Sequence, residues 1–171
     1  FRSKTNKCMW FVNNFYKDTR LYAYDYVNDK LIGYGPDFAN EDDALITPVG
    51  VYSVAEDMKG NIWVASTNGP FYIPAADALA GNGTFVQHKV PRNDGTNLAD
   101  YLLSNISTRC IAVDGANRKW MGTNDGVFLI SDDCNTLVQH FTTENSPLPS
   151  NTVYDICVDR NTNTVYFATN R

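Results

Sequence analysis

Two stretches of this chain, Val51 to Gly69 and Thr108 to Gly126, align without a gap. In both, an Asp is followed six residues later by Trp and six further on by Gly: Asp57, Trp63, Gly69 and Asp114, Trp120, Gly126. A third copy runs from Val153 through Asp159, with one inserted residue and Tyr166 in the Trp place. An older copy at Met9 to Val12 puts the Trp/Tyr positions at 10, 63, 120 and 166. A period of ~40 to 50 residues means that each unit cannot bury its apolar face alone and must stack on the next. The repeats fall near residues 9–50, 51–105, 106–152 and 153–171.

Each repeat reads as short strands divided by turn chemistry. In the second full copy, Cys110 to Val113 is apolar and β-branched, Asp114 to Asn117 is a turn, and Lys119 to Gly122 is a strand. Asn124-Asp125-Gly126 is a hairpin turn, Val127 to Ile130 a third strand and Leu137 to Phe141 a fourth. Four antiparallel strands per repeat predict an all-β fold, a β-propeller of about three to three and a half four-stranded blades. Rings have ~4 to 8 blades, so the expectation is a piece of a larger, about seven-bladed ring, with open edges that favour the remaining blades or self-association. Helical periodicity survives only at Ala75 to Ala80 and Asn97 to Leu103.

Within this frame the recurring residues have structural work. Asp57, Asp114 and Asp159 accept backbone N–H bonds in the inner turn, and Gly60 takes the positive φ that follows. Trp63 and Trp120 present flat surfaces to the next blade, while Ala65, Gly122 and Ala168 leave room for close sheet approach. His88 and His140 close equivalent Val-Gln-His strings and read as one structural position seen twice.

Charge and cysteine usage narrow the function classes. Over 171 residues, 14 Lys+Arg against 19 Asp+Glu give a net charge of −5, which disfavours a phosphate-tracking surface and excludes nucleic acid as a partner. The longest aliphatic and aromatic run, Val127 to Ile130, is far short of a spanning helix. Cys8, Cys110, Cys134 and Cys157 form no C-x-x-C pair, so no metal site is expected; buried small hydrophobes and disulfides both stay open. Glu41-Asp42-Asp43 and Asp132-Asp133 lack a calcium-loop pattern and read as solvated acidic turns. Asn82-Gly-Thr84 and Asn105-Ile-Ser107 match the glycosylation sequon.

The residues Asp57 to Gly69, and Leu148-Pro149-Ser150-Asn151 before the third copy, resemble the two-component regulator propeller repeat found in periplasmic sensor regions of Bacteroidetes hybrid histidine kinases. Asp114 to Ser131 followed by Phe141 to Asn151 is similar to the PorZ-type propellers of type IX secretion. The resemblance implies an extracytoplasmic bacterial module, periplasmic or on the outer cell surface, that is not an enzyme and has no cofactor. It also implies a glycan or lipopolysaccharide-type ligand together with a protein partner. The alternative it leaves is an oligosaccharide sensor.

No nucleophile, base and orienting group recur as a set that could meet, so ligand capture is the better class. Propellers bind at the channel end formed by the connections into each inner strand and from the second strand to the third. There the repeats put Tyr52, Arg109 and Tyr154 in register, with Asn68, Asn124, Asp125 and Asn151 in the neighbouring connections. Aromatic faces, an arginine and amides suit a sugar; the same tyrosines could equally be inter-blade packing and Arg109 a surface charge. The spacing from Trp63 to Trp120 exceeds that from Trp120 to Tyr166, which places an insertion in Ala75 to Asn105, either a partner contact or a connection without a role.

Overall fold

The computed structural model describes residues 1–14, 20–81, 83–159 and 161–170. All its regular structure is antiparallel strand. The first sheet joins β1 (Cys8–Val12), β2 (Leu21–Asp25) and β3 (Lys30–Tyr34), and Arg2 bridges to Met9 on its inner side. The second joins β6 (Val51–Glu56), β7 (Ile62–Ser66) and β8 (Phe71–Ile73), completed by a bridge from Tyr72 to Val86. The third is a full four-stranded blade: β11 (Thr108–Val113), β12 (Lys119–Thr123), β13 (Val127–Ile130) and β14 (Leu137–Phe141). The fourth pairs β15 (Val153–Asp159) with β16 (Thr164–Thr169).

The core lies between sheets rather than inside any of them. Trp10 of β1 packs with Ile62, Val64 and Phe71 of the second sheet. Trp63 packs with Ile111, Met121 and Phe128 of the third, and Trp120 with Val153 and Ile156 of the fourth. A sheet buries its second face only when another stacks on it, which is why the middle strands β7 and β12 are buried throughout whereas β16 is not.

The six-residue interval from Asp to Trp has a direct cause. Oδ1 of Asp57 accepts the N–H of Lys59 and of Asn61, while its Oδ2 accepts the indole Nε1–H of Trp63 at 3.0 Å. Asp114 does the same with Ala116, Arg118 and Trp120, again at 3.0 Å. Burial alone would raise the Asp114 carboxyl, but these donors hold it below the usual carboxylate range. Tyr166 has no indole N–H, and Asp159 bonds instead to Asn161 and Thr162 within its own turn. The left-handed residue of each turn is Gly60, Asn117 and Asn163.

A buried lysine ties the second sheet to the third. Lys119, 1% exposed, donates to the carbonyl of Asp132 at 2.9 Å, lies 3.8 Å from Asp57 Oδ2 and sits over the Trp63 ring. Beside it the N–H of Met58 is accepted by Asn117 Oδ1, and Asn117 donates to Asp132, which also pairs with Lys59 at 3.1 Å. Asp132 thus belongs to an inter-blade lock rather than to a free acidic face.

Four expectations need correction. Ala75 to Ala80 forms successive turns, and Asn97 to Leu103 contains a strand, β10 (Ala99–Tyr101), hairpin-paired with β9 (Lys89–Pro91). The extra length after the second blade is therefore a turn segment plus this hairpin. A matching small hairpin, β4 (Phe38–Ala39) with β5 (Leu45–Ile46), follows the first blade. The two hairpins clasp through Asp42, which pairs with Lys89 at 2.5 Å and accepts from Tyr101 Oη at 2.9 Å, so Glu41-Asp42-Asp43 is not simply solvated.

The histidines are not equivalent either. Trp63 faces Tyr72, which faces Val86, whereas Trp120 faces Leu129, which faces Gln139. His140 therefore corresponds to Gln87, and His88 is one residue out of step. The cause is a bulge in β14 at Val138, which shifts the Val-Gln-His string by one residue and so to the other face. Cys157, read as a buried apolar residue, is exposed on the open side of β15. Cys8, Cys110 and Cys134 are buried free thiols, and burial pushes Cys110 up to about 12 and Cys134 up to about 11. Asn82 of the first sequon lies outside the described residues.

Candidate functional site: the mouth of the inner strands

Three inner strands, β6, β11 and β15, begin with the same irregularity. Each ladder slips by one residue, between Val51 and Ser53, between Thr108 and Cys110, and between Val153 and Asp155. The residue skipped in each is Tyr52, Arg109 and Tyr154. A bulged residue is released from the pleat, so its side chain can be aimed independently of its neighbours.

The bulges bring the three side chains together. The guanidinium carbon of Arg109 lies 5.1 Å from the centre of the Tyr154 ring and 5.6 Å from that of Tyr52. Arg109 thus makes a cation–π contact with a ring from the sheet on either side of its own. Its Nε donates to Asn124 Oδ1 at 2.6 Å, which fixes the plane of the group. Among the described residues this is the hydrogen bond that holds the guanidinium, and the Nη edge stays available for a planar or anionic acceptor.

The remaining predicted residues divide. Asn124 belongs to the cluster through Arg109. Asp125 and Asn151 brace it through the backbone: the Asp125 carbonyl accepts His140 Nε2 at 2.6 Å, and the Asn151 carbonyl accepts the N–H of Gly126 at 2.7 Å. Gly126 has φ 96°, and a Cβ there would collide with the Phe141 carbonyl, so only glycine fits this turn. Asn151 Oδ1 is occupied by the N–H of Thr143. Asn68 stays within its own turn, its Oδ1 accepting from Thr67 Oγ1 and its N–H donating to Ser66 Oγ. Neither Asn68 nor Asn151 is brought against Arg109.

One residue at this end escapes a reading of the sequence. Asn14 Oδ1 comes within 3.0 Å of where a Cβ on Gly50 would stand, as do Cζ and Oη of Tyr52. The bare glycine lets the tyrosine ring and the amide approach each other. Counting four residues beyond each Trp gives Asn14, Thr67 and Asn124, a signal that was available in the repeat but weak in the first copy.

At the mouth Tyr154 is 49% exposed, and Tyr52 and Arg109 are half-buried. Two clefts, of about 470 and 420 Å3, lie at the other end of the inner strands, one beside Glu56, Asp57 and Met58 and the other beside Asp114, Trp120 and Asn163. They adjoin the structural turns, and their polar groups are already committed there: Glu56 accepts from Ser3 Oγ and from the N–H groups of Lys4 and Thr5. Among the described residues no three His, Cys, Asp or Glu side chains gather as a metal cluster. His88 contacts Asn135, and His140 stacks on Phe128 at 3.9 Å.

No curated protein matches the sequence. The two component regulator propeller family matches at residues 46–68 and 147–171. Among solved structures, PorZ, an essential surface component of the type-IX secretion system of Porphyromonas gingivalis, superposes with a TM-score of 0.80 at 26% identity. That match covers 96% of this chain and 24% of PorZ. The extracellular domain of a hybrid two component system of B. thetaiotaomicron gives 0.67 at 23% identity, covering 98% of this chain and 19% of that one. A protein assigned to the gluconolactonases gives 0.56 at 14%, covering 96% and 52%. The last two similarities speak to the fold alone, and this chain spans a quarter or less of the length of the first two. Its inter-sheet cores and recurring Asp–Trp turns make the chain a set of β-propeller blades, similar to PorZ and matching the two component regulator propeller model in two of its segments.

Proposed function

We propose that this chain is a non-catalytic, extracytoplasmic binding module whose propeller mouth captures a glycan through Tyr52, Arg109 and Tyr154, within a PorZ-like surface or secretion-associated protein. The observation that carries this reading is the Arg109 guanidinium set close to two tyrosine rings, with its Nε held by Asn124. Sugar rings stack on aromatic faces through their C–H surfaces, and an acidic or hydroxyl-rich edge accepts from a guanidinium already fixed in plane. Asn14 and Asn124 add amide groups at the same end. Pre-ordering by Asn124 and the rings reduces the entropy lost on binding.

The test is calorimetry of the whole protein with a panel of neutral and acidic oligosaccharides, and with lipopolysaccharide, comparing wild type with Arg109→Ala. A charge-assisted contact is worth ~1.5 to 3 kcal/mol, so the substitution is expected to weaken binding about 10- to 100-fold. Unchanged affinity removes the mouth as the site. Turnover of any panel member would overturn the non-catalytic reading; the gluconolactonase likeness, at 14% identity, gives no residue to support one. Surface-restricted labelling of intact cells tests the extracytoplasmic assignment.

A sensor of the hybrid two-component kind is the second reading, favoured by the fold similarity to the B. thetaiotaomicron extracellular domain. The mouth would then be the input site.

A further inference from the structure

Arg109 stands at a bulge, where the pleat no longer aims it, so its direction rests on what its side chain meets. Its Nε donates to Asn124 Oδ1, and Asn124 opens the turn between β12 and β13. The hold on the guanidinium is therefore only as firm as that turn. Within it, the Gly126 carbonyl accepts the N–H of Thr123 at 3.0 Å and its hydroxyl at 2.9 Å, and the Asp125 N–H donates to the same hydroxyl at 2.8 Å. These bonds leave the peptide unit between Asp125 and Gly126 unfixed.

Two groups from outside the turn pin that peptide by its opposite ends. Its N–H, on Gly126, donates to the Asn151 carbonyl at 2.7 Å, and its carbonyl, on Asp125, accepts from His140 Nε2 at 2.6 Å. A carbonyl only accepts, so the imidazole carries its proton on Nε2. The ring lies flat on Phe128, centroids 3.9 Å and planes 14° apart, because the bulge at Val138 sets His140 directly across from Phe128. Gly126, at φ 96°, least resists turning the peptide over, so without the imidazole the bond to Asn151 alone would have to prevent it. Gln87, the corresponding residue of the second sheet, is engaged elsewhere: its Oε1 accepts from Asn40 and its N–H donates to Glu41. The brace belongs to the sheet that carries the arginine.

We propose that His140 is a positioning residue of the mouth: by pinning the Asp125–Gly126 peptide against the Asn151 carbonyl it holds Asn124, and through Asn124 it sets the Arg109 guanidinium for binding. The consequence for binding rests on the reading of the mouth as a ligand site, whereas the mechanism rests on the turn alone. His140 acts from β14, at the outer edge of the sheet whose inner edge carries Arg109, with β12 and β13 between them. The whole chain of contacts lies in this four-stranded sheet and in the connection that leaves it. A guanidinium held in one orientation before binding loses less entropy when a ligand arrives.

Nuclear magnetic resonance of the whole protein with isotope-labelled arginine tests it, in wild type, in His140→Phe, which keeps the ring stack and removes the donor, and in His140→Gln, which keeps a donor of similar reach. The Arg109 Nε–H signal is identified by its loss in Arg109→Ala, and circular dichroism checks that each variant is folded. Solvent exchange of that proton is expected to quicken about 10-fold in His140→Phe and to stay within about 2-fold of wild type in His140→Gln. Equal exchange in wild type and His140→Phe, or equally fast exchange in both variants, overturns the proposal. Calorimetry with the oligosaccharide and lipopolysaccharide panel reads the consequence. For any member that wild type binds, His140→Phe should weaken binding about 5- to 10-fold, His140→Gln should restore it, and His140→Phe should add nothing in an Arg109→Ala background. A loss of the same size in that background overturns the positioning role, since the histidine would then act on the fold and not through the arginine. Binding of no member by the wild type overturns the glycan reading instead, and the exchange measurement, which needs no ligand, still decides the role of His140.

Discussion

The carboxylates that recur through this chain do unequal work although they occupy matching turns. Asp114 is 7% exposed and satisfies two backbone N–H groups, the Arg118 guanidinium and the Trp120 indole. Replacing it by Ala strands the indole N–H, and Asp114→Ala should lower stability by about 2 kcal/mol, read as a shift of the denaturant midpoint. Asp159 keeps its bonds within an exposed turn, so Asp159→Ala should cost under about 1 kcal/mol in the same assay. The direction of the Asp114 shift also sets a pH dependence. Its folded carboxyl lies below the unfolded one, so its ionised form stabilises the fold at neutral pH. That contribution is lost as the pH falls through the ordinary carboxylate range toward the lowered folded value. The wild-type midpoint should fall over that interval more steeply than the midpoint of Asp114→Asn.

Among the strands, β12 tolerates the least. A Cβ on Gly122 would collide with Cys110 Sγ and reach 3.0 Å from Val153 Cγ1 in the next sheet. Gly122→Ala must therefore push the third sheet away from the fourth, and a loss of about 1 to 3 kcal/mol is expected from thermal or denaturant unfolding. The close-approach role of this position was legible in the sequence, as were the inner turns, because each rests on one residue type at a fixed offset. The Asp–Trp hydrogen bond was not, although the six-residue interval is its trace. What stayed hidden depends on register: the bulge at Val138 that separates His140 from His88, and the three that gather Tyr52, Arg109 and Tyr154. A bulge adds a residue to one strand without changing the apolar pattern that marks it. The hairpins β4–β5 and β9–β10 are two or three residues per strand, too short for alternation to show. At the mouth, alignment found Tyr52, Arg109 and Tyr154, but Asn68 and Asn151 shared only the neighbourhood, their side chains being taken by local turns.

Taken entire, the chain distributes its stability along a line of sheets, each cluster of core residues belonging to two neighbours. In such an array the interior units are supported on both sides and the end units on one. Amide hydrogen exchange should be slowest in the fully buried β7 and β12 and fastest in β16, whose residues alternate between exposed and half-buried. Equal protection across β7, β12 and β16 in dilute protein would contradict a nearest-neighbour account.

The repeated slip at the head of each inner strand has a consequence for how such a surface can change over generations. At a bulge the pleat no longer dictates which way a side chain points, and the flanking ladder keeps its register whichever residue stands there. Each sheet therefore offers a single interchangeable socket on an unvarying mount. Tyrosine, arginine and tyrosine are one setting of a three-place combination. Exchanging them should alter what the protein recognises while leaving the folding of the sheets behind them nearly untouched, so specificity in this architecture can drift one sheet at a time.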